Sequence, residues 1–290
     1  MHSPRTRPVL VAAFLTAVGV AAGCGDPTAT DPATREAVVR AYLYAGQPVE
    51  DIRLSYTAPI GTPDSLIEKT SPPINNATVT LIRDGVRYAL VKASGDSGYY
   101  RYAGTGLTVR EGDVWDLEAK IDGAVLTART QVPVRPSGAR VSAATLLIPL
   151  FTGGPGGLGG GPGGRPDPAQ FTLQVRWTKT PTALYYVTLE NTEVAPTIIS
   201  TGLPAGLNFR RIRIFSPTAS DSFPVNALSL EYYGRYRVRV WRVNEEYAQL
   251  YASRQQDSRD LNEPATNIHG GLGVFSAFAA DTTSFIAVKQ

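Results

Sequence analysis

Apolar and polar positions alternate with a period of two along much of the chain. In Trp115-Asp116-Leu117-Glu118-Ala119-Lys120-Ile121, one face gathers Trp115, Leu117, Ala119 and Ile121, and the other gathers Asp116, Glu118 and Lys120. That is the pattern of a half-buried strand. Asp122-Gly123 follows, and Val125–Thr130 resumes the alternation. Asp-Gly tolerates the positive φ angles of a type I′ hairpin turn. The same device, Asp84-Gly85, separates Ala77–Arg83 from Val86–Lys92. Ala37–Tyr44, Ile52–Tyr56 and Tyr99–Tyr102 read as further strands. Short strands at this spacing, broken by Gly, Pro and Asp turns, predict a β-sandwich domain over residues 36–136.

The pattern continues in a second β-rich domain over 137–290. Strands are predicted at Arg140–Leu150, Phe171–Thr178, Ala183–Glu190, Phe209–Phe215, Arg235–Val243 and Thr283–Val288. One helix is expected after Asn244, a capping residue. Glu245 and Glu246 fall in its first turn, and Tyr247, Leu250, Tyr251 and Arg254 keep helical spacing. Between the first two of these strands lies a glycine-rich loop, 153–168. Gly159, Gly161 and Gly164 formally satisfy G-x-G-x-x-G, but Arg165-Pro166-Asp167-Pro168 follows where a helix would have to open. The match therefore carries no nucleotide-binding chemistry.

The first 23 residues have a different texture. Arg5 and Arg7 precede Val9–Ala22, which is free of charge and too short to span a bilayer of about 30 Å. This is the layout of an export signal. The segment ends in Val20-Ala21-Ala22-Gly23-Cys24, which resembles a bacterial lipobox and implies acylation of Cys24 after cleavage at 1–23. Residues 24–35, with Gly, Pro, Thr and Asp and no apolar period, read as a flexible tether.

Composition then narrows the functions. The chain of 290 residues carries 28 Lys+Arg and 25 Asp+Glu. Without Arg5 and Arg7 the balance is nearly even, which gives no electrostatic basis for binding nucleic acid. A single cysteine excludes an internal disulfide framework and cysteine-rich zinc sites. Of the two histidines only His269 lies outside the export signal. With no nucleophile motif beside it, it makes a poor catalytic or metal residue. No catalytic residue, metal or cofactor is expected, and Asp116 and Glu118, flanked by Lys120, read as a surface charge ladder.

Taken together, Cys24, the early strand Ala37–Tyr44, Asn76-Ala77-Thr78-Val79-Thr80-Leu81 before a turn, Gly98-Tyr99-Tyr100 and Trp115-Asp116-Leu117 form an ordered set. The Thr127–Val134 strand, the Tyr-Arg-Val strand with its Tyr-bearing helix, and Asn267-Ile268, Gly270-Gly271-Leu272-Gly273 and Phe275 complete it. In this set the chain resembles the bacterial lipoproteins grouped as domain of unknown function 4249. The glycine insert is a departure from the family's pattern. The resemblance implies an N-terminal immunoglobulin-like or transthyretin-like sandwich followed by a second mainly-β domain. It also implies a lipid-anchored protein of the outer membrane that accompanies a TonB-dependent transporter, and with no catalytic constellation in the sequence a non-enzymatic role is expected.

Two groups of residues are candidates for contact with a ligand or partner. Asn267, Gly270 and Gly271 lie in a segment whose glycines let backbone approach another surface closely. Arg235, Arg237 and Arg239 share one strand face and suit an anionic glycan, phosphate or lipid headgroup; Arg211 and Arg213 extend that patch if their strand is adjacent. A surface glycan-binding or adhesion module is the alternative function, with the 14 tyrosines as a stacking platform. It requires a contiguous strip of exposed rings.

Overall fold

Asp84 and Gly85 have φ of 50° and 77°, and Asp122 and Gly123 have 47° and 89°. Both Asp-Gly pairs thus supply the paired positive angles of a type I′ turn. They close β3 (Thr78–Arg83) onto β4 (Val86–Ala89), and β7 (Val114–Ile121) onto β8 (Ala124–Gln131). The computed structural model describes residues 35–58, 66, 69–149, 171–199, 210–253 and 265–290. Residues 1–34, which hold the export signal and Cys24, lie outside them, as does the glycine loop 153–168.

The described chain is mainly β, and a helix, α1 (Glu245–Ser253), starts directly after the expected cap. β4-β3-β7-β8 form one layer of the first lobe. The other layer holds β1 (Ala37–Tyr44), β2 (Asp51–Tyr56), β6 (Tyr99–Arg101) and β5 (Val91–Lys92). Between them lies an apolar core in which Trp115, Leu117, Ala119 and Ile121 are buried, as the alternation requires. On the outer face Asp116 pairs with Arg129 at 2.6 Å, and Glu118 pairs with Arg87 at 2.7 Å and Lys120 at 3.4 Å.

The sheet of β1 continues into the second lobe through β16 (Leu272–Lys289), an 18-residue strand. Its first part runs parallel to β1, from Val38↔Leu272 to Tyr44↔Phe278. Its later part pairs antiparallel with β15 (Gly234–Val243), and its end pairs with β10 (Thr145–Ile148). β12 (Leu184–Asn191) and β13 (Ile212–Ile214) extend the sheet beyond β15. A three-stranded sheet of β14 (Ser222–Asn226), β11 (Thr172–Thr178) and β9 (Ser137–Val141) covers its inner face over a second core, with Trp177, Tyr185, Val238 and Phe285.

Three strands differ from expectation. Val86–Lys92 is two strands, because the chain leaves the β3 sheet at buried Leu90 and joins β6. Arg140–Leu150 also divides, with β9 on β11 and β10 on β16. The strand expected at Thr283–Val288 starts at Leu272. Residues 265–290 therefore serve both lobes: Ile268, Phe275 and Ala277 belong to the first core, and Phe285 and Ala287 to the second.

Candidate functional site

The segment before β16 is held by side chain and backbone together. Asn267 Nδ2 donates to the Phe275 carbonyl at 2.8 Å and the Arg129 carbonyl at 3.3 Å, while its Oδ1 accepts the Phe275 N–H at 2.9 Å. His269 exchanges both backbone hydrogen bonds with Thr127 on β8, at 2.8 and 3.1 Å, and its side chain is exposed. The glycines permit close crossing of neighbouring strands. A Cβ on Gly270 would lie 2.9 Å from the Val125 carbonyl, and one on Gly271 2.8 Å from that of Ala37. The close approach that the glycines predict is thus made within the fold, to β8 and β1. Asn267 is committed to Phe275 and Arg129, and Phe275 is fully buried.

Gly270 and Gly271 also border a depression of about 470 Å³ at the end of the first lobe, with Arg35, Tyr56, Asp122 and Leu126. Asp122 is occupied there: it accepts from Tyr56 Oη at 2.9 Å and from Asn76 Nδ2 at 3.2 Å. Bound to Asp122, the Tyr56 phenol is held above its usual pKa by that hydrogen bond first of all.

The arginine face is the second candidate. Register places Arg237 between Glu190 on β12 and Ser284 on β16, and Arg239 between Thr188 and Thr282. Glu190 Oε2 lies 3.3 Å from Arg237 Nη1 and 2.8 Å from Arg239 Nη1. Arg235 is exposed and lies opposite Ile286. Arg213 does not join the patch. β12 stands between its strand and β15, and Arg213 aligns with buried Leu189, on the opposite face. Its guanidinium donates to the Ser229 carbonyl, and that of Arg211 to the Glu193 carbonyl.

Two features of the outer face of this sheet rest on contacts between segments distant in sequence. Tyr186, Trp241, Val243 and Phe278 form a third apolar cluster where the lobes meet, with Tyr42, Tyr44 and Tyr247 packed against it. Tyr247 brings α1 onto it, its ring edge-on to Phe278 at 5.0 Å between centroids. The helix start is tied to the first lobe: Asn244 Nδ2 donates to Thr130 Oγ1 at 3.1 Å and the Gln131 carbonyl at 2.7 Å, and Thr130 Oγ1 donates to Glu246 Oε1 at 2.7 Å. Every one of the 14 tyrosines is buried or half-buried, so the exposed strip of rings that a glycan platform requires is not formed.

The carboxylates of β7 are held by cations. Hydrogen bonding from Arg129 lowers the Asp116 pKa, and hydrogen bonding from Arg87 lowers that of Glu118. Carboxylates held ionised in this way do not form an acid–base pair with divergent pKa values. Among the described residues no group of three His, Cys, Asp or Glu is placed to hold a metal ion.

Residues 27–284 match the model of a family described as domain of unknown function (DUF4249), and the chain belongs to that family. No curated protein matches the chain. Among solved structures, domains A168–A170 of titin align over 87% of this chain and 67% of that one, at 12% identity. The TM-score is 0.23, too low to carry an argument about this chain.

Proposed function

We propose that this chain is a lipid-anchored, non-enzymatic protein of the bacterial outer membrane, acylated on Cys24. Its β body serves as an accessory or binding component beside a TonB-dependent transporter. One observation carries the anchoring: the chain's only cysteine stands immediately after Ala21-Ala22-Gly23, at the end of a charge-free apolar run preceded by Arg5 and Arg7. Each buried methylene adds about 0.8 kcal/mol, so two or three acyl chains give a durable attachment where one does not. Family membership supports the reading through the resemblance to bacterial lipoproteins.

Function then follows from tethering. Confinement to a surface raises the effective concentration of the β body around a membrane partner without any new contact. In this reading residues 24–35 are the tether, a short segment between the anchor and the first strand. The test is metabolic labelling with a palmitate analogue, followed by fractionation. The wild-type chain is expected to carry label and to sediment with outer membranes. Cys24→Ser is expected to lose the label and enter the soluble fraction. A Cys24→Ser chain that still sediments with membranes overturns the anchor.

A further inference from the structure

We propose that the outward face of the second lobe's sheet binds a phosphate-bearing ligand, gripped by Arg235 and Arg237 beside the hydroxyls of Thr282 and Ser284. Alternation sets Arg235, Arg237 and Arg239 on that face, about 6.6 Å apart from one to the next. The face already holds one oxyanion, because a single Glu190 oxygen is shared by Arg237 and Arg239. Three guanidinium groups thus face one carboxylate. The next carboxylate, Glu193, accepts the Arg235 backbone N–H at 2.8 Å. The Arg235 side chain makes no ion pair with a described residue.

Between Arg235 and Arg237 the surface sinks into a depression of about 290 Å³, bordered also by Thr192, Thr282 and Ser284. It accommodates a phosphate group with part of the alcohol it esterifies. A tetrahedral oxyanion offers oxygens in several directions, and here two planar forks from one strand meet hydroxyl donors from the next. Ile286, level with Arg235 on the same face, is 41% exposed and gives that arginine an apolar neighbour. The shared chemistry is a phosphate ester, whether a soluble one or the headgroup of a phospholipid. The site stands on the folded second lobe and does not depend on acylation of Cys24.

The test uses the full chain with Cys24→Ser, so that no acyl anchor contributes. Inorganic phosphate and glycerol 3-phosphate are titrated while the arginine side-chain Nε–H signals are followed by NMR. Flotation with phosphatidylglycerol or phosphatidylcholine vesicles forms the second arm. Saturable binding is expected in at least one arm, and Arg235→Gln with Arg237→Gln is expected to weaken it at least tenfold. Arg176→Gln, an exposed arginine on β11, is expected to change it less than twofold. Glu190→Gln, which releases Arg237 and Arg239, is expected to strengthen binding several-fold; a purely structural ion pair gives no such gain. Saturation by the soluble ester identifies that source, and binding only to phosphatidylglycerol vesicles identifies the headgroup. Absence of binding in both arms, undiminished binding by the double variant, or binding by Glu190→Gln no tighter than wild type overturns the proposal. A melting temperature held in each variant shows that the fold is kept.

Discussion

At Gly273 the backbone has φ of 111°, and a Cβ would sit 2.0 Å from the Val39 carbonyl oxygen. Both the conformation and the space exclude a side chain there. Gly46 also has positive φ, 74°, but nothing lies within 4 Å of its Cβ position. The pair separates the cost of the angle from the cost of the clash. Gly46→Ala is expected to lose about 1–2 kcal/mol, the cost of a left-handed conformation. Gly273→Ala adds overpacking of about 1–3 kcal/mol to a similar conformational cost, and it prises β1 from β16. Thermal and urea denaturation of the two variants check the difference; equal losses contradict this account. The same residues show what is legible at this scale. Asp84-Gly85 and Asp122-Gly123 disclose their turns because the chemistry that makes them is local. The glycines at 270–273 disclose a close approach but not its partner, because Val125, Ala37 and Val39 are distant in sequence. The arginine face is legible through alternation alone, whereas Glu190, which binds two of its members, is identified only by the register of β12 on β15.

Elements are legible where one face is wet. β7 and β15 alternate cleanly, and their bounds follow from sequence. Val274-Phe275-Ser276-Ala277-Phe278-Ala279 does not alternate, because all six residues are buried. One face lies in the first core and the other lies under Tyr42, Tyr44 and Tyr247. A strand covered on both sides loses its period, which is why β16 begins in sequence only where its outer face opens. β14 hides for another reason: Pro224 argues against a strand and is tolerated because β14 lies at a sheet edge. The aromatic cluster over β16 has a consequence for alkaline stability. Burial raises the phenol pKa of Tyr186 and Tyr44 far above its ordinary value, with Asp51 adding to the effect at Tyr44. Below pH of about 10 these phenols are neutral in both folded and unfolded chains. Above it the unfolded chain ionises them and the folded chain does not, so stability falls as pH rises. Melting temperature is expected to fall steeply between about pH 10 and pH 11.5. In Tyr186→Phe the fall is expected to be shallower, since one of the resisting groups is gone. Parallel calorimetric scans of both chains measure this, and identical slopes refute it.

For the molecule as a whole, the decisive fact is that one strand belongs to two cores. Phe275 and Ala277 are buried in the first lobe, Phe285 and Ala287 in the second, all four on the same face of β16. On the opposite face α1 reaches from the end of β15 to Thr130. Such an arrangement joins the lobes into one cooperative unit, and Arg35–Gln290 is indeed one compact unit. A polypeptide spanning 36–136 contains β1 to β8 yet lacks Ile268, Phe275 and Ala277, and its β1 has lost the parallel partner. Removing one buried phenylalanine side chain alone costs about 3–5 kcal/mol, against a total stability of about 5–15 kcal/mol for a domain. The 36–136 polypeptide is therefore expected to lack a cooperative thermal transition and a dispersed amide NMR spectrum. The full chain is expected to unfold in one step, with calorimetric and van't Hoff enthalpies equal. Trp115 of the first core and Trp177 of the second provide probes for each half: with Trp241 and one of these two replaced by Phe, the fluorescence of the single remaining tryptophan is expected to follow the same melting curve as far-ultraviolet circular dichroism. Two separated transitions, or a 36–136 polypeptide that folds by itself, would show that β16 only bridges the lobes and does not bind their stabilities together.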